Sequence, residues 1–445
     1  MKKKYPDHED SEHHNLQKST PAATFDFIGR DMRIRKHVIG VIRRLYEQHG
    51  FSPQDTPIIE NAIVFAGHHG EGEEILFRLQ DKHGIPLVLR YDQTVPLGRI
   101  VATHADLPYP YRRFQIAYAF RDEDPDGRHL RQFIQCDADT VGCSSLAADA
   151  EAIMLAYRGL RELGFKWFII RINHRRIFQA IASLHGLNEE GVVKGIQRAI
   201  DKSDKHTREG LEGLKKDLSS YGLSNPVIQT IVDILALKGN PGEILNGIGR
   251  ILAGQVTAER GIAEIREILS YLPTEVMSVI EIDVSLSRGA DYYTGFILEG
   301  VINEGDQGAV LGGGRYDNLV EAFGAPPEPA VGMAFGLDRI ISTMKSLDML
   351  DGLEVDPDRT LVVSGREDSV NDVIMIAEIL RNQLINVSTV FASVPPEKQA
   401  ELARSQNCTV VVGINQGVEI SCVDGNGTNL IELVSSILAD KTAIG

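Results

Sequence analysis

Residues 114–139 read FQIAYAFRDEDPDGRHLRQFIQCDAD, two strands joined by a polar loop. The first strand, Phe114 to Phe120, is mostly apolar and ends in Arg121-Asp122-Glu123. The loop from Asp124 to Leu130 holds a Pro, a Gly and an Arg, which suits a turn. The return strand runs from Arg131 to Asp139. Because side chains in a strand repeat every two residues, Arg131, Phe133, Gln135 and Asp139 share one face. That face carries a cation, a ring, an amide and a carboxylate. A purely structural sheet seldom places so many polar groups on one inner face. A guanidinium offers a fork for phosphate or carboxylate. A ring gives a base something to stack on, and a carboxylate accepts from an ammonium.

The bulk of the chain sets the limits around this hairpin. Its 445 residues and 43% hydrophobic content allow two or three domains with real cores. The net charge of −16 argues against indiscriminate polyanion binding, although local patches matter more than the total. Four cysteines, Cys136, Cys143, Cys408 and Cys422, show no paired metal spacing, so no protein metal site is expected; they fit a reducing cytosol. No apolar run is long enough for a membrane span. Residues 1–20 lack the apolar centre of a signal peptide and read as a disordered tail. The expected location is therefore cytoplasmic.

Outward from the hairpin, residues 32–49 place Ile34, Val38, Val41, Ile42 and Leu45 at helical spacing, stopped by Gly50. Pro57 before Ile58 and Ile59 starts an edge strand. Residues 74–90 predict two strands around a polar turn, followed by Tyr91-Asp92-Gln93-Thr94 at the entry to a helix, where Asp92 could serve simply as an N-cap. A helix over 146–163 and a strand over 166–173 follow. Apolar residues then recur every three or four positions through 175–276, which reads as a helical insertion. The sheet resumes at 279–286 and leads into Arg288-Gly289-Ala290-Asp291-Tyr292-Tyr293. The run Gly312-Gly313-Gly314-Arg315-Tyr316-Asp317 lets backbone approach a ligand closely. In 329–344 the four-residue spacing of Gly332 and Gly336 puts both on one face of a helix that also carries Arg339. After a linker at 346–357, strands and helices alternate through 358–445 as an α/β domain. From Thr360 to the end there are five Lys or Arg against ten Asp or Glu, a poor electrostatic footprint for RNA.

The hairpin resembles the second signature motif of class II aminoacyl-tRNA synthetases: Phe-Arg-x-Glu, a loop, then an Arg-x-Phe strand. Residues 32–61 and 329–344 resemble the first and third motifs. The Arg-Gly-x-Asp-Tyr-Tyr segment at 288–293 is similar to that of histidyl-tRNA synthetases and their close relatives. The resemblance implies an α+β fold: an antiparallel catalytic sheet flanked by helices over 21–174 and 277–345, the helical insertion at 175–276, and an anticodon-binding-like α/β domain at 358–445. It implies a homodimer through the first motif. It also implies activation of histidine by ATP with Mg²⁺, then transfer to tRNA.

Arg121 and Arg288 would then be the catalytic cations, with Arg121, Glu123, Phe133 and Arg339 holding ATP. Asp92, Thr94, Gln135, Asp139, Arg288, Tyr292 and Tyr293 would hold histidine. The loop reads Asp124-Pro125-Asp126 where relatives usually have Arg-Pro-Gln, the residues that read the extra 5′ guanosine of histidine tRNA. Recognition of that tRNA is expected to be atypical, with Arg128 and Arg131 remaining. Two alternatives share the scaffold. One is a paralogue that forms histidyl-adenylate without charging tRNA. The other is a non-catalytic histidine sensor similar to the regulatory subunit of ATP phosphoribosyltransferase.

Overall fold

The computed structural model describes residues 18–65, 75–124, 130–187, 196, 208–286, 292–302, 308–353, 355, 359–423 and 428–442. It divides into two compact units, Met1–Asp351 and Gly352–Gly445. In chain order the strands of the first unit begin with β1 (Ser52–Pro53), β2 (Ile59–Asn61), β3 (Arg78–Gln80), β4 (Pro86–Leu89), β5 (Tyr111–Phe120) and β6 (Gln132–Val141). They continue with β7 (Phe168–His174), β8 (Ile280–Ile282), β9 (Phe296–Ile302), β10 (Ala309–Arg315) and β11 (Ala330–Gly336).

Eight of these strands make one sheet in the order β1-β5-β6-β11-β10-β9-β7-β8. All neighbours from β5 to β7 run antiparallel; only β1 on β5 and β8 on β7 are parallel. The remaining three strands form a small antiparallel sheet, β2-β4-β3, with β2 at an edge.

The two faces of the large sheet differ because the sequence alternates. Phe114, Cys136, Ala138, Met333 and Phe335 point to one side, where the helices Gly29–Gln48 and Ala147–Glu162 cover them. Ile34, Val38, Val41, Ile42 and Leu45 supply the apolar stripe of the first helix, and all are buried. Each such side chain stabilises the fold by about 1.5–3 kcal/mol. Tyr46 lies 5.7 Å from Phe114 and 6.4 Å from Phe335, ring to ring, and donates to the Cys136 carbonyl at 2.7 Å. Gly50, at φ +75°, ends this helix: its own amide reaches the Glu47 carbonyl and the Phe51 amide reaches that of Tyr46. Gly159 lets the second helix touch the sheet, since a Cβ there would lie 2.3 Å from the Phe335 ring.

One sequence expectation is corrected. Gly332 and Gly336 lie in the central strand β11, and the helix begins only at Leu337, running to Ser346. A spacing of four keeps two residues on one face of a strand as well as of a helix, so spacing alone could not separate the two. The tertiary position decides it, because β11 is hydrogen-bonded between β6 and β10.

Between β7 and β8 the described residues form helices at Arg175–Leu184, Arg208–Ser220, Asn225–Leu235, Pro241–Ile251, Val256–Ser270 and Thr274–Met277. The helix Val256–Ser270 is tied to the end of β7 by Glu264, which takes a 2.7 Å contact from His174 and pairs with Arg176.

The second unit has β12 (Thr360–Ser364), β13 (Val387–Val390), β14 (Val410–Ile414) and β15 (Val418–Cys422), in the order β13-β12-β14-β15. The first three are parallel and β15 is antiparallel to β14. Val362 and Val412 face Val373, Ala377, Val434 and Leu438, whereas Leu361, Val363 and Val411 face Ala403. Apolar residues at consecutive positions are what a parallel sheet covered on both faces requires. Among the described residues no helix is long and apolar enough to cross a membrane. The four cysteines are free.

Candidate active site

The opposite face of the large sheet carries the polar residues. Ladder partners share a face, so the pairs Ala119↔Phe133, Ala117↔Gln135, Gln115↔Asp137 and Arg113↔Asp139 all project to it. The next strand continues the face with Gly336, Ala334 and Gly332, and the one after with Gly312 and Gly314. The centre of the sheet is thus a bare floor of glycine and alanine with polar groups along one side. From Phe133 to Asp139 that side spans about 20 Å at the usual strand rise.

At the Phe133 end, the Arg121 guanidinium lies 5.1 Å from the Phe133 ring centroid. A cation over a ring face is held by the ring quadrupole, and it leaves the N–H edge free to meet an anion. Glu123, half-buried, follows two residues on. Arg131 takes a local role: its guanidinium pairs with Asp122 and lies 4.7 Å from the Phe77 ring. Arg339, on the helix Leu337–Ser346, donates to the Ala309 carbonyl at 2.9 Å, which anchors it over the end of β10.

At the other end, carboxylates gather. Asp92 is buried and accepts from the Val95 amide at 3.2 Å, so one oxygen serves the first turn of the helix Thr94–Thr103, whose N-cap position itself falls on Gln93. Its other oxygen has no hydrogen-bond partner among the described residues. Burial pushes the Asp92 carboxyl up to about 6, against the pull of that amide, Arg121 and Arg113. The next residue, Gln93, donates to the carbonyls of Ala117 at 2.8 Å and Gln135 at 3.2 Å, seating the turn on β5 and β6. Thr94 hydrogen-bonds the Tyr292 hydroxyl. Tyr292 and Tyr293 are 4.9 Å apart between ring centroids, and Tyr292 stands edge-on to Tyr316 at 5.8 Å.

Asp139 makes one hydrogen bond and one ion pair. Its Oδ1 accepts from the Tyr316 hydroxyl and its Oδ2 lies 2.8 Å from Arg113. Burial raises Asp137 and Asp139 above the usual carboxylate range, Asp137 the further, and Arg113 opposes that rise. Gln135, beside them, keeps its Oε1 buried without a partner among the described residues. A buried acceptor without a protein donor is satisfied by water or by a ligand donor.

Of the residues singled out from sequence, Arg121, Phe133, Gln135 and Asp139 share this one face, and the segments holding Asp92, Thr94, Tyr292 and Tyr293 converge beside Asp139 and Tyr316. Arg288 lies outside the described residues, as do Pro125, Asp126 and Arg128 of the hairpin loop; Asp124 is exposed. Arg113, Asp137 and Tyr316 were not anticipated. The signal for Arg113 was present: extending β5 back to Tyr111 and folding the hairpin about its loop sets Arg113 opposite Asp139. Among the described residues no group of three or more His, Cys, Asp or Glu could hold a metal ion. A Mg²⁺ ion here would come with nucleotide phosphates and keep its waters, as that ion commonly does.

A nucleotide-sized floor, a stacked cation at one end and an acceptor cluster at the other suit a ligand with an anionic nucleotide part and a cationic amino part. Known proteins similar to this chain agree. The family model described as histidyl-tRNA synthetase matches residues 24–340. A histidine–tRNA ligase from Aeropyrum pernix is 39% identical over 328 residues, 72% of this chain and 73% of the relative. One from Cytophaga hutchinsonii is 32% identical over 430 residues, 90% and 94% of the two chains. The crystal structure of a histidyl-tRNA synthetase from a Nostoc species superposes with a TM-score of 0.77 at 26% identity, covering 94% of this chain and 99% of the other. Sequence similarity along most of its length, a shared fold and a site of the matching chemistry place this chain in the histidyl-tRNA synthetase family.

Proposed function

We propose that the chain is a histidine–tRNA ligase that works in two steps on the polar face of its large sheet. In the first, an oxygen of the histidine carboxylate attacks the α-phosphorus of ATP. The bond to pyrophosphate breaks, and histidyl-adenylate forms. In the second, a terminal ribose hydroxyl of tRNA attacks the carbonyl carbon, and AMP leaves with the bonding pair. Two anions must meet in the first step, so fixed cations matter more than a nucleophile or a strong base. Mg²⁺ bound to the phosphates would supply further positive charge.

The observation that carries this reading is the division of one sheet face into a cationic, aromatic end and a carboxylate end across a glycine floor. Arg121 and Arg288 act as the catalytic cations. Phe133 stacks on adenine, Glu123 contacts the adenine side, and Arg339 reaches the phosphates. Asp92, Thr94, Gln135 and Asp139 hold the ammonium and backbone end of histidine, with Arg288 at its carboxylate. Tyr292 and Tyr293 line the imidazole pocket, where a hydroxyl can donate to or accept from a neutral ring. The retained nucleotide grip of Arg121, Glu123, Phe133 and Arg339 favours a ligase over a histidine sensor, which would have no use for it.

Exchange of labelled pyrophosphate into ATP, dependent on histidine and Mg²⁺, tests the first step; charging of histidine tRNA tests the second. No exchange with any amino acid would favour the sensor. Exchange without charging would favour the paralogue. The chain would act as a homodimer. Ile58, Ile59 and Ile63, exposed around the edge strand β2, supply apolar surface for a second copy. Sedimentation as a monomer at micromolar concentration would contradict this. A cytoplasmic location fits the free cysteines and would fail if the native protein were recovered with disulfides.

A further inference from the structure

Arg113 is fully buried, and nothing assigned so far to catalysis or binding explains a guanidinium at that place. It stands directly opposite Asp139 in the β5–β6 ladder, 2.8 Å from its Oδ2. Through Nη2 it also donates to the Gln93 carbonyl at 3.1 Å. Gln93 sits between Asp92 and Thr94, and its own side chain is bonded to the carbonyls of Ala117 and Gln135. One guanidinium therefore joins the two chain segments that carry the acceptors of the proposed histidine pocket: the turn at 92–94 and the end of β6.

We infer that Arg113 is a positioning residue for histidine: it touches no substrate, but fixes the Asp139 carboxylate and the 92–94 turn in the relative placement that receives the amino acid. This rests on the histidine reading of the site. The chemistry favours arginine at this place. Three carboxylates, Asp92, Asp137 and Asp139, crowd a region closed to water; Arg113 faces Asp139 and Asp137 with Tyr316 and Tyr111 beside it, while Arg90 also acts on Asp137 and Arg121 on Asp92. A rigid, buried guanidinium keeps its Nη2 between the Asp139 carboxylate and the Gln93 carbonyl; a lysine ammonium on a flexible stem does not fix directions in this way. Asp139 is thus hydrogen-bonded by Tyr316 on one oxygen and ion-paired with Arg113 on the other before any ligand arrives. Preorganisation of that kind is what makes a binding group effective.

The test compares wild-type protein with Arg113→Lys and Arg113→Met by pyrophosphate exchange, titrating active sites so that misfolded protein does not count. Loss of one partner of a buried charge pair should raise the histidine KM of Arg113→Met by about thirtyfold or more. Arg113→Lys keeps the charge and should raise it by about tenfold, with kcat and the ATP KM within about threefold of wild type. Thermal melting should be near normal for the lysine variant. A purely structural role would lower the active fraction and leave the KM of the surviving enzyme unchanged, and that result overturns the inference. So would a lysine variant with the wild-type histidine KM, or one that cannot fold. Wild-type protein that shows no histidine-dependent exchange would remove the histidine reading and this inference together. Wild-type activity with unaltered variants would remove the inference alone.

Discussion

Gly332→Ala tests the glycine floor at the point where it meets the acceptor cluster. A Cβ at this position would fall 1.9 Å from Asp139 Oδ1, 2.6 Å from its Cγ and 2.9 Å from the Ala138 carbonyl oxygen. Asp139 has little freedom to yield, since Arg113 and Tyr316 hold its two oxygens. Overpacking of this kind costs about 1–3 kcal/mol. Breaking the Tyr316 bond to a charged acceptor would add about 1.5–3 kcal/mol of lost interaction. Stability should therefore fall by about 2–4 kcal/mol after partial relaxation, and the histidine KM should rise by about tenfold to a hundredfold as Asp139 is pushed off its position.

Gly336→Ala is the internal control. It lies on the same face of the same strand, but its Cβ would find the Val310 carbonyl oxygen at 3.6 Å and Arg339 Cβ at 3.8 Å, both ordinary contacts. Its stability should change by no more than about 0.5 kcal/mol. Denaturant unfolding measures the first quantity and pyrophosphate exchange at varied histidine the second. A Gly332→Ala protein with normal histidine KM, or one no less stable than Gly336→Ala, would refute the reasoning.

Three further predictions follow from other parts of the site. Arg288→Ala should fold normally and slow adenylate formation by about a hundredfold or more, as removal of a transition-state cation does; single-turnover adenylation near the wild-type rate would exclude it from the mechanism. Asp92 is raised in the folded chain from 3.8 to about 6, so its ionisation opposes folding: the stability that its neutral form contributes is present below pH 3.8 and lost as pH rises through about 6. Asp92→Asn should then gain on wild type by about 2.4 kcal/mol between pH 4 and pH 7, which unfolding at both pH values measures; a constant difference would show that Asp92 is not held in a desolvating site. Because the hairpin loop reads Asp124-Pro125-Asp126, a tRNA should gain nothing from an extra 5′ guanosine, whose phosphate would meet carboxylates. Aminoacylation of transcripts with and without that guanosine checks this, and a strong preference for the guanosine would contradict it.

Whatever depends on local periodicity is legible along the chain. The hairpin at 114–139 and the helix carrying Ile34 to Leu45 are written in side-chain spacing and turn residues, as is the shared face of Phe133, Gln135 and Asp139. So is the alternation of strands and helices after residue 359, where adjacent apolar residues such as Leu361, Val362 and Val363 signal a sheet covered on both sides. Motif likeness added the family, and with it a list of site residues whose roles remain for experiment to test.

Only the tertiary structure decided which segments meet. Spacing left Gly332 and Gly336 equally compatible with helix and strand, and the pairing of β11 between β6 and β10 resolved it. Hairpin register could place Arg113 opposite Asp139, but Tyr316, far along the chain, did not announce itself as a support of that carboxylate. The raised carboxyl of Asp92 is likewise invisible in sequence, where it is one aspartate at a helix entry. Periodicity is a property of neighbours along the chain, so it can be read from them. Desolvation and the pairing of buried charges depend on which distant residues exclude water from a given atom, and that is fixed only when the sheet, the turn at 92–94 and the tyrosines close around it.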